Sequence, residues 1–173
     1  MLNTIMRKLL LLDANVIIDL HTLGLFDKIS KSYDLYVTPE VLKESDRFPF
    51  EGSYHPISIK DKVKVVQDVS IDTTNTIRKE AEEAGLAIEE GEATSIAYIT
   101  QAIDEDVLFC TCDKAAIRLV SFMNLEEKSI SVEKALRNVG YHQRNLYPRH
   151  FEKVFQECIK EGKTLRILHK KLT

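Results

Sequence analysis

The sequence predicts an α/β fold: a three-layer α/β/α arrangement with a mostly parallel central sheet and a C-terminal helical extension. Two observations carry this. Short apolar, β-branched or aromatic runs recur along the chain, at LLLL before Asp13, YDLYVT over 33–38 and VLFCT over 107–111, and helix-period segments separate them. The first and last of these runs are almost continuously apolar, as strands covered on both faces are.

In chain order, residues 7–12 read as the first strand. Residues 15–26 place Val16, Asp19/Leu20, Leu23 and Phe26 along one side of a helix, which Gly24 weakens. Residues 33–38 suit a strand. Thr38-Pro39 then supplies a cap and a first helical residue for a helix through Leu42 and Glu44. Pro49, Gly52 and Pro56 make 48–56 a loop. A strand is expected at 63–66, a helix from an Asp72 cap to Gly85, and a helix from Gly91 to Ile103. Strand 107–111 follows, and Asp113 opens a helix to Met123. Residues 129–132 suit a last short strand, and 133–138 a helix that Gly140 ends. A final helix is expected over 147–160, stopping near Gly162. The expected organisation is one domain over 1–140 and a basic extension over 141–173.

The chain has 173 residues, 44% apolar and 29% charged, which suits one sizeable core and excludes a disordered chain. No apolar run approaches the roughly 20 residues of a membrane-spanning helix. No small-residue cleavage site follows the first apolar run, so neither a signal peptide nor a membrane partner is expected. Cys110-Thr111-Cys112 is too tightly spaced for a zinc knuckle, and His142 and His150 lack metal-ligand spacing. Free thiols in a reducing compartment, the cytoplasm, are expected. Residues 1–136 hold 15 basic and 24 acidic side chains, whereas 137–173 hold 9 and 3. A basic tail on an acidic body is a lead toward an anionic partner; the plainer alternative is a solvated helix offsetting the body.

Four acids stand at the edges of elements. Asp13 closes the first strand, Glu44 lies on the helix after the second, Glu92 sits in the first turn of a helix, and Asp113 follows the 107–111 strand. A parallel sheet can gather such positions at the carboxyl ends of its strands. Clustered carboxylates repel one another unless a cation joins them, and an all-oxygen set suits Mg²⁺ or Mn²⁺ rather than zinc. Such sites perform phosphodiester chemistry. Each acid alone also has a structural use: Asp13 and Asp113 as caps, Glu92 at the positive end of a helix, Glu44 as a solvated residue.

In this order, LLLLDANVIIDL, VTPEVLKES, EEGEATSIAYI and LFCTCDKAAIRLV resemble the four motifs of the PIN-domain nucleases, in particular compact prokaryotic members such as VapC-type toxins. The resemblance covers roughly residues 7–140. It implies an acidic pocket holding Mg²⁺ or Mn²⁺ and endoribonuclease activity on single-stranded RNA. By position, Asp13, Glu44, Glu92 and Asp113 match the four acids. Asn15 matches a supporting polar residue, and Arg118 the Arg that often follows the fourth acid. Thr111, two residues before that acid, is taken as a second supporting residue. Cys112 stands where many relatives carry a further acid. Glu40 rivals Glu44, and Glu89 and Glu90 rival Glu92. The resemblance also implies an antitoxin protein and a homodimer as partners.

For the RNA itself, Lys114, Arg118, Arg137, Arg144 and Arg149 are candidate phosphate contacts, with Tyr141 and Tyr147 interleaved. The competing readings are a catalytically weak PIN-fold module that binds RNA or protein, and a Mg²⁺-binding regulatory domain. The second would need an acidic neighbour beside Asp13 and a late strand-end Lys, and the sequence offers neither.

Overall fold

Four consecutive leucines in a strand need apolar cover on both sides, and here they receive it. In a computed structural model, which describes residues 8–103 and 105–172, Lys8–Leu12 forms strand β1; Arg7, the expected first residue of this strand, lies outside the described residues. Leu10 and Leu12 face one core and Leu11 faces another, as the two-residue period of a strand requires. The chain continues through α1 (Ala14–Thr22), α2 (Phe26–Ser32), β2 (Tyr33–Val37), α3 (Pro39–Glu44), β3 (Arg47–Phe50), β4 (Ser53–Pro56) and β5 (Val63–Val65). It then forms α4 (Ile71–Glu83), α5 (Glu90–Gln101), β6 (Val107–Cys110), α6 (Lys114–Phe122), β7 (Ser129–Ile130), α7 (Val132–Asn138) and α8 (Glu152–Leu172), with a 3-10 turn at Pro148–His150 before α8.

Five strands pair in parallel in the order β5-β2-β1-β6-β7. One face of the sheet is covered by apolar side chains of α1, α2, α3 and α7, the other by those of α4, α5 and α6. This is the three-layer α/β/α fold expected. Among the described residues no helix is long and apolar enough to cross a membrane.

The strand order matters for function. The chain moves from β1 outward to β2 and β5, then returns to β6 on the other side of β1. The connections leaving β1 and β6 therefore diverge and open a crevice between their carboxyl ends, where ligands of such sheets bind. Leu12 is in register with Cys110, and the Asp13 N–H donates to Cys110 O at 3.1 Å. Asp13 and the 111–113 segment are thus brought to one rim.

Several elements depart from expectation for identifiable reasons. The 15–26 helix is two, because Gly24, at φ 66°, ends α1 in a left-handed turn. Ser70, not Asp72, caps α4. The 48–56 loop is a hairpin of β3 and β4. Glu51 and Gly52 both have positive φ, as tight hairpin turns require, and Pro49 is tolerated because a two-stranded ribbon has free edges. Gly162 does not stop the last helix, which runs on to Leu172. Instead it lets α8 lie against α6: a Cβ there would meet the Arg118 carbonyl oxygen at 2.3 Å and Ser121 Cβ at 2.7 Å. Ile117, Phe155, Cys158 and Ile159 seal that contact, and Ser121 Oγ donates to Ile159 O at 2.7 Å.

Candidate metal centre

Asp13 is both a cap and a buried acid. Its Oδ1 accepts from the Ala14 N–H at 2.8 Å and its Oδ2 from Thr111 Oγ1 at 3.2 Å. It is only 2% exposed. Burial pushes its pKa up to about 7; the two hydrogen bonds oppose this, and the charges of Asp113 and Glu44 add to it. Asp113 caps α6 by accepting from the Ala116 N–H at 2.9 Å, and its own N–H donates to Thr111 Oγ1 at 3.1 Å. A single threonine hydroxyl therefore joins the two strand-end acids.

Glu92 approaches from α5. Its Oε2 accepts from the Glu89 N–H at 2.9 Å in a capping box, and it is 5% exposed. Burial pushes it up to about 8, the Glu89 hydrogen bond opposes, and the charges of Asp113 and Asp13 add. Glu44, the last residue of α3, is exposed, yet its pKa is also raised, first by partial burial and then by the charge of Glu89. It leans over Gly91, where a Cβ would lie 2.9 Å from Glu44 Oε2. Among the rivals, Glu90 pairs with Arg78 in solvent and Glu89 is the helix cap, so burial separates Glu92 from both. Glu40 stays close: its charge adds to that on Glu44, and its Oε2 is buried without a hydrogen-bond partner. Asn15 is exposed on the first turn of α1.

These donors are all oxygen and carry like charges, with two carboxyls buried against the preference of the ionised form. That set fits a hard divalent cation, which would favour the ionised carboxylates. Among the described residues, however, the trio whose donor atoms all lie within 4.8 Å of one another is a different one: Asp19, Cys112 and His150. No three of the four acids form such a group.

The second cluster is already neutralised. Arg149 Nη2 donates to Asp19 Oδ1 at 2.6 Å and Arg149 Nε to Oδ2 at 2.9 Å, while His150 Nε2 lies 2.6 Å from Oδ2. Burial alone would raise the Asp19 pKa, but the bonds to His150 and Arg149 more than offset it and hold it below the usual range. The Cys112 thiol is pushed up by burial, and a protonated thiol is a poor ligand. A cation here would meet a guanidinium on the same carboxylate. We read this trio as a lock that fastens the 148–150 turn to α1. Sequence reasoning passes over Asp19 as an ordinary helix residue and considers His150 only beside His142. The available signal is an acid on the apolar side of α1.

The five candidate phosphate contacts separate. Lys114 and Arg149 line one cleft together with Tyr147. Arg118 Nε donates to Glu161 at 2.5 Å, Arg137 pairs with Glu133 on α7, and Arg144 is exposed in the 143–147 segment. Tyr141 packs against the core with Lys28 over its ring, whereas Tyr147 is exposed. Comparison of the chain with protein-family models, with curated proteins and with solved structures finds no match.

Proposed function

We propose that this chain is a divalent-metal-dependent endoribonuclease that hydrolyses phosphodiester bonds of single-stranded RNA. The observation that carries the reading is the pair of buried carboxyls, Asp13 at about 7 and Glu92 at about 8, with Asp113 pressing on both and Glu44 on Asp13 at the crevice of a parallel sheet. Asp13, Glu92 and Asp113 each cap a helix through one oxygen, and the neighbouring charges acting on the two buried ones are other acids.

In this reading Asp13, Glu92 and Asp113 hold Mg²⁺ or Mn²⁺, and Glu44 closes the set from α3. Bound there, the cation supplies an activated water and offsets charge on the phosphate oxygens. The chain's own part is to position. Thr111 and the Ala14 N–H each fix one oxygen of Asp13, and the Ala116 N–H fixes Asp113. Glu92 is held by the Glu89 N–H, so three carboxylates are preorganised before any ligand arrives. Lys114, beside Asp113, supplies positive charge at the rim. All three cysteines are free thiols, which suits a cytoplasmic protein. An antitoxin partner and a homodimer rest on the PIN resemblance alone.

The test is RNA cleavage in Mn²⁺ or Mg²⁺ by the wild type, Asp13→Asn and Asp113→Asn. The reading expects cleavage only from the wild type, with all three proteins folded. Equal cleavage by both variants would overturn it. Metal binding without cleavage by the wild type would favour the binding module instead.

A further inference from the structure

The Pro148–His150 turn and the first turn of α6 enclose a cleft of about 470 Å³, lined by Lys114, Tyr147, Pro148, Arg149 and Val154. One of its lining residues, Lys114, is the next residue in the chain after Asp113. Its lining is two cations, an aromatic ring and apolar surface, with no acid. The parts are held in place. Arg149 is fixed on Asp19 through two hydrogen bonds, yet its side chain remains 45% exposed. The Tyr147 ring has the Arg149 guanidinium 5.8 Å from its centroid and the His150 ring centroid at 5.3 Å, and the residue is 37% exposed. His150 is itself wholly buried on Asp19. The exposed ring is therefore backed by the hydrogen-bonded Asp19–Arg149–His150 cluster.

We propose that this cleft is a nucleotide subsite: it takes a backbone phosphate of single-stranded RNA between Lys114 and Arg149 and stacks the attached base on Tyr147. This rests on the nuclease reading for the choice of RNA. Cations recognise the phosphate and the ring recognises any base, so the site reads strandedness and not sequence. Preorganisation of Arg149 and Tyr147 removes part of the ordering cost of binding. A protein partner is the alternative occupant, but one held guanidinium, an exposed lysine and an open ring match a phosphate and a base more closely than an apolar side chain.

The experiment is equilibrium binding of a short fluorescent single-stranded RNA to the full chain at low salt in chelator, so that it does not depend on cleavage. Lys114→Ala is on the surface and keeps the fold; it is expected to weaken binding several-fold and to flatten the salt dependence by about one phosphate. Tyr147→Leu is expected to weaken binding roughly 5- to 100-fold, and Tyr147→Phe to retain it, because stacking needs the ring and not the hydroxyl. An oligomer made abasic throughout should bind the wild type and Tyr147→Leu alike. Unchanged affinity in both Lys114→Ala and Tyr147→Leu, or no RNA binding by the wild type, overturns the subsite. Binding with these variant effects but no cleavage in Mn²⁺ leaves the subsite standing and removes the nuclease reading. Cleavage with unaffected binding does the reverse.

Discussion

Two buried aspartates six residues apart, Asp13 capping α1 and Asp19 on it, are driven in opposite directions. Asp13, 2% exposed, is raised to about 7; Asp19, 4% exposed, is lowered. Burial raises both. The difference lies in what each one faces. Asp19 meets a guanidinium and an imidazole from the far end of the chain, and Asp13 meets only an amide, a hydroxyl and other acids. Asp19 is a completed ion pair that serves the fold. Asp13 is a buried carboxyl whose hydrogen-bond partners are an amide and a hydroxyl and whose neighbouring charges are acids, so its ionised form is disfavoured.

The contrast breaks most visibly through stability. Asp19→Ala leaves Arg149 without its counter-charge and His150 without its hydrogen-bond partner, and we expect a loss of about 2–4 kcal/mol, below the range for a fully buried pair because Arg149 is half exposed. Asp13→Asn is expected to cost nothing or to stabilise the metal-free protein at pH 8, while abolishing Mn²⁺-dependent RNA cleavage. Thermal or urea unfolding of the two variants at pH 8 in chelator checks this. Equal destabilisation by both would erase the distinction.

The pH dependence sharpens it. Asp13 and Glu92 titrate near 7 and 8 in the fold but near 4 in an unfolded chain. The folded state binds more protons across that interval, so their stabilising contribution is full below about pH 4 and is lost as pH rises toward 8. Asp19 has the opposite sign: its contribution is present above about pH 4 and is lost as acid protonates it. Melting temperature in chelator should therefore fall between pH 5 and 8. Added Mn²⁺ should restore it at pH 8, because a cation favours the deprotonated carboxyls. A profile that is flat without metal would contradict the raised values.

The smallest effect is expected at Gly91. An alanine there must push back Glu44, whose Oε2 would lie 2.9 Å from the new Cβ, and press on the buried Val41, whose Cγ2 would lie at 3.0 Å. Glu44 is the exposed acid of the set, so Gly91→Ala should weaken Mn²⁺ binding by about 10-fold at most while leaving Asp13, Glu92 and Asp113 in place. A Mn²⁺ titration measures this, and a loss as deep as that of Asp13→Asn would mean that Glu44 is a principal ligand.

The sheet and most helices were legible because continuous apolar runs and cap residues are local signals. LLLL before Asp13 and Thr38-Pro39 each identified an element from a few neighbouring positions. Glu92 was distinguishable from Glu89 and Glu90 only by the resemblance, and the structure separates them by burial. What stayed hidden depends on distance in the chain. Nothing near Asp19 announces Arg149 and His150, 130 residues away. Gly162 reads as a stop when viewed alone and as a helix contact once α6 lies against it. The 48–56 hairpin was hidden by its prolines, which a paired ribbon with open edges accommodates.

In the nuclease reading proposed above, the acids at the β1–β6 crevice, and not the Asp19 cluster, hold a divalent cation. Titration of Mn²⁺ into the wild type, Asp13→Asn and Cys112→Ser at pH 7.5, followed calorimetrically in two buffers of different ionisation heat, tests it most directly. The account predicts binding by the wild type and Cys112→Ser with release of protons from the site, and loss of that binding in Asp13→Asn. Binding retained by Asp13→Asn and lost in Cys112→Ser would place the metal at the other cluster and contradict it.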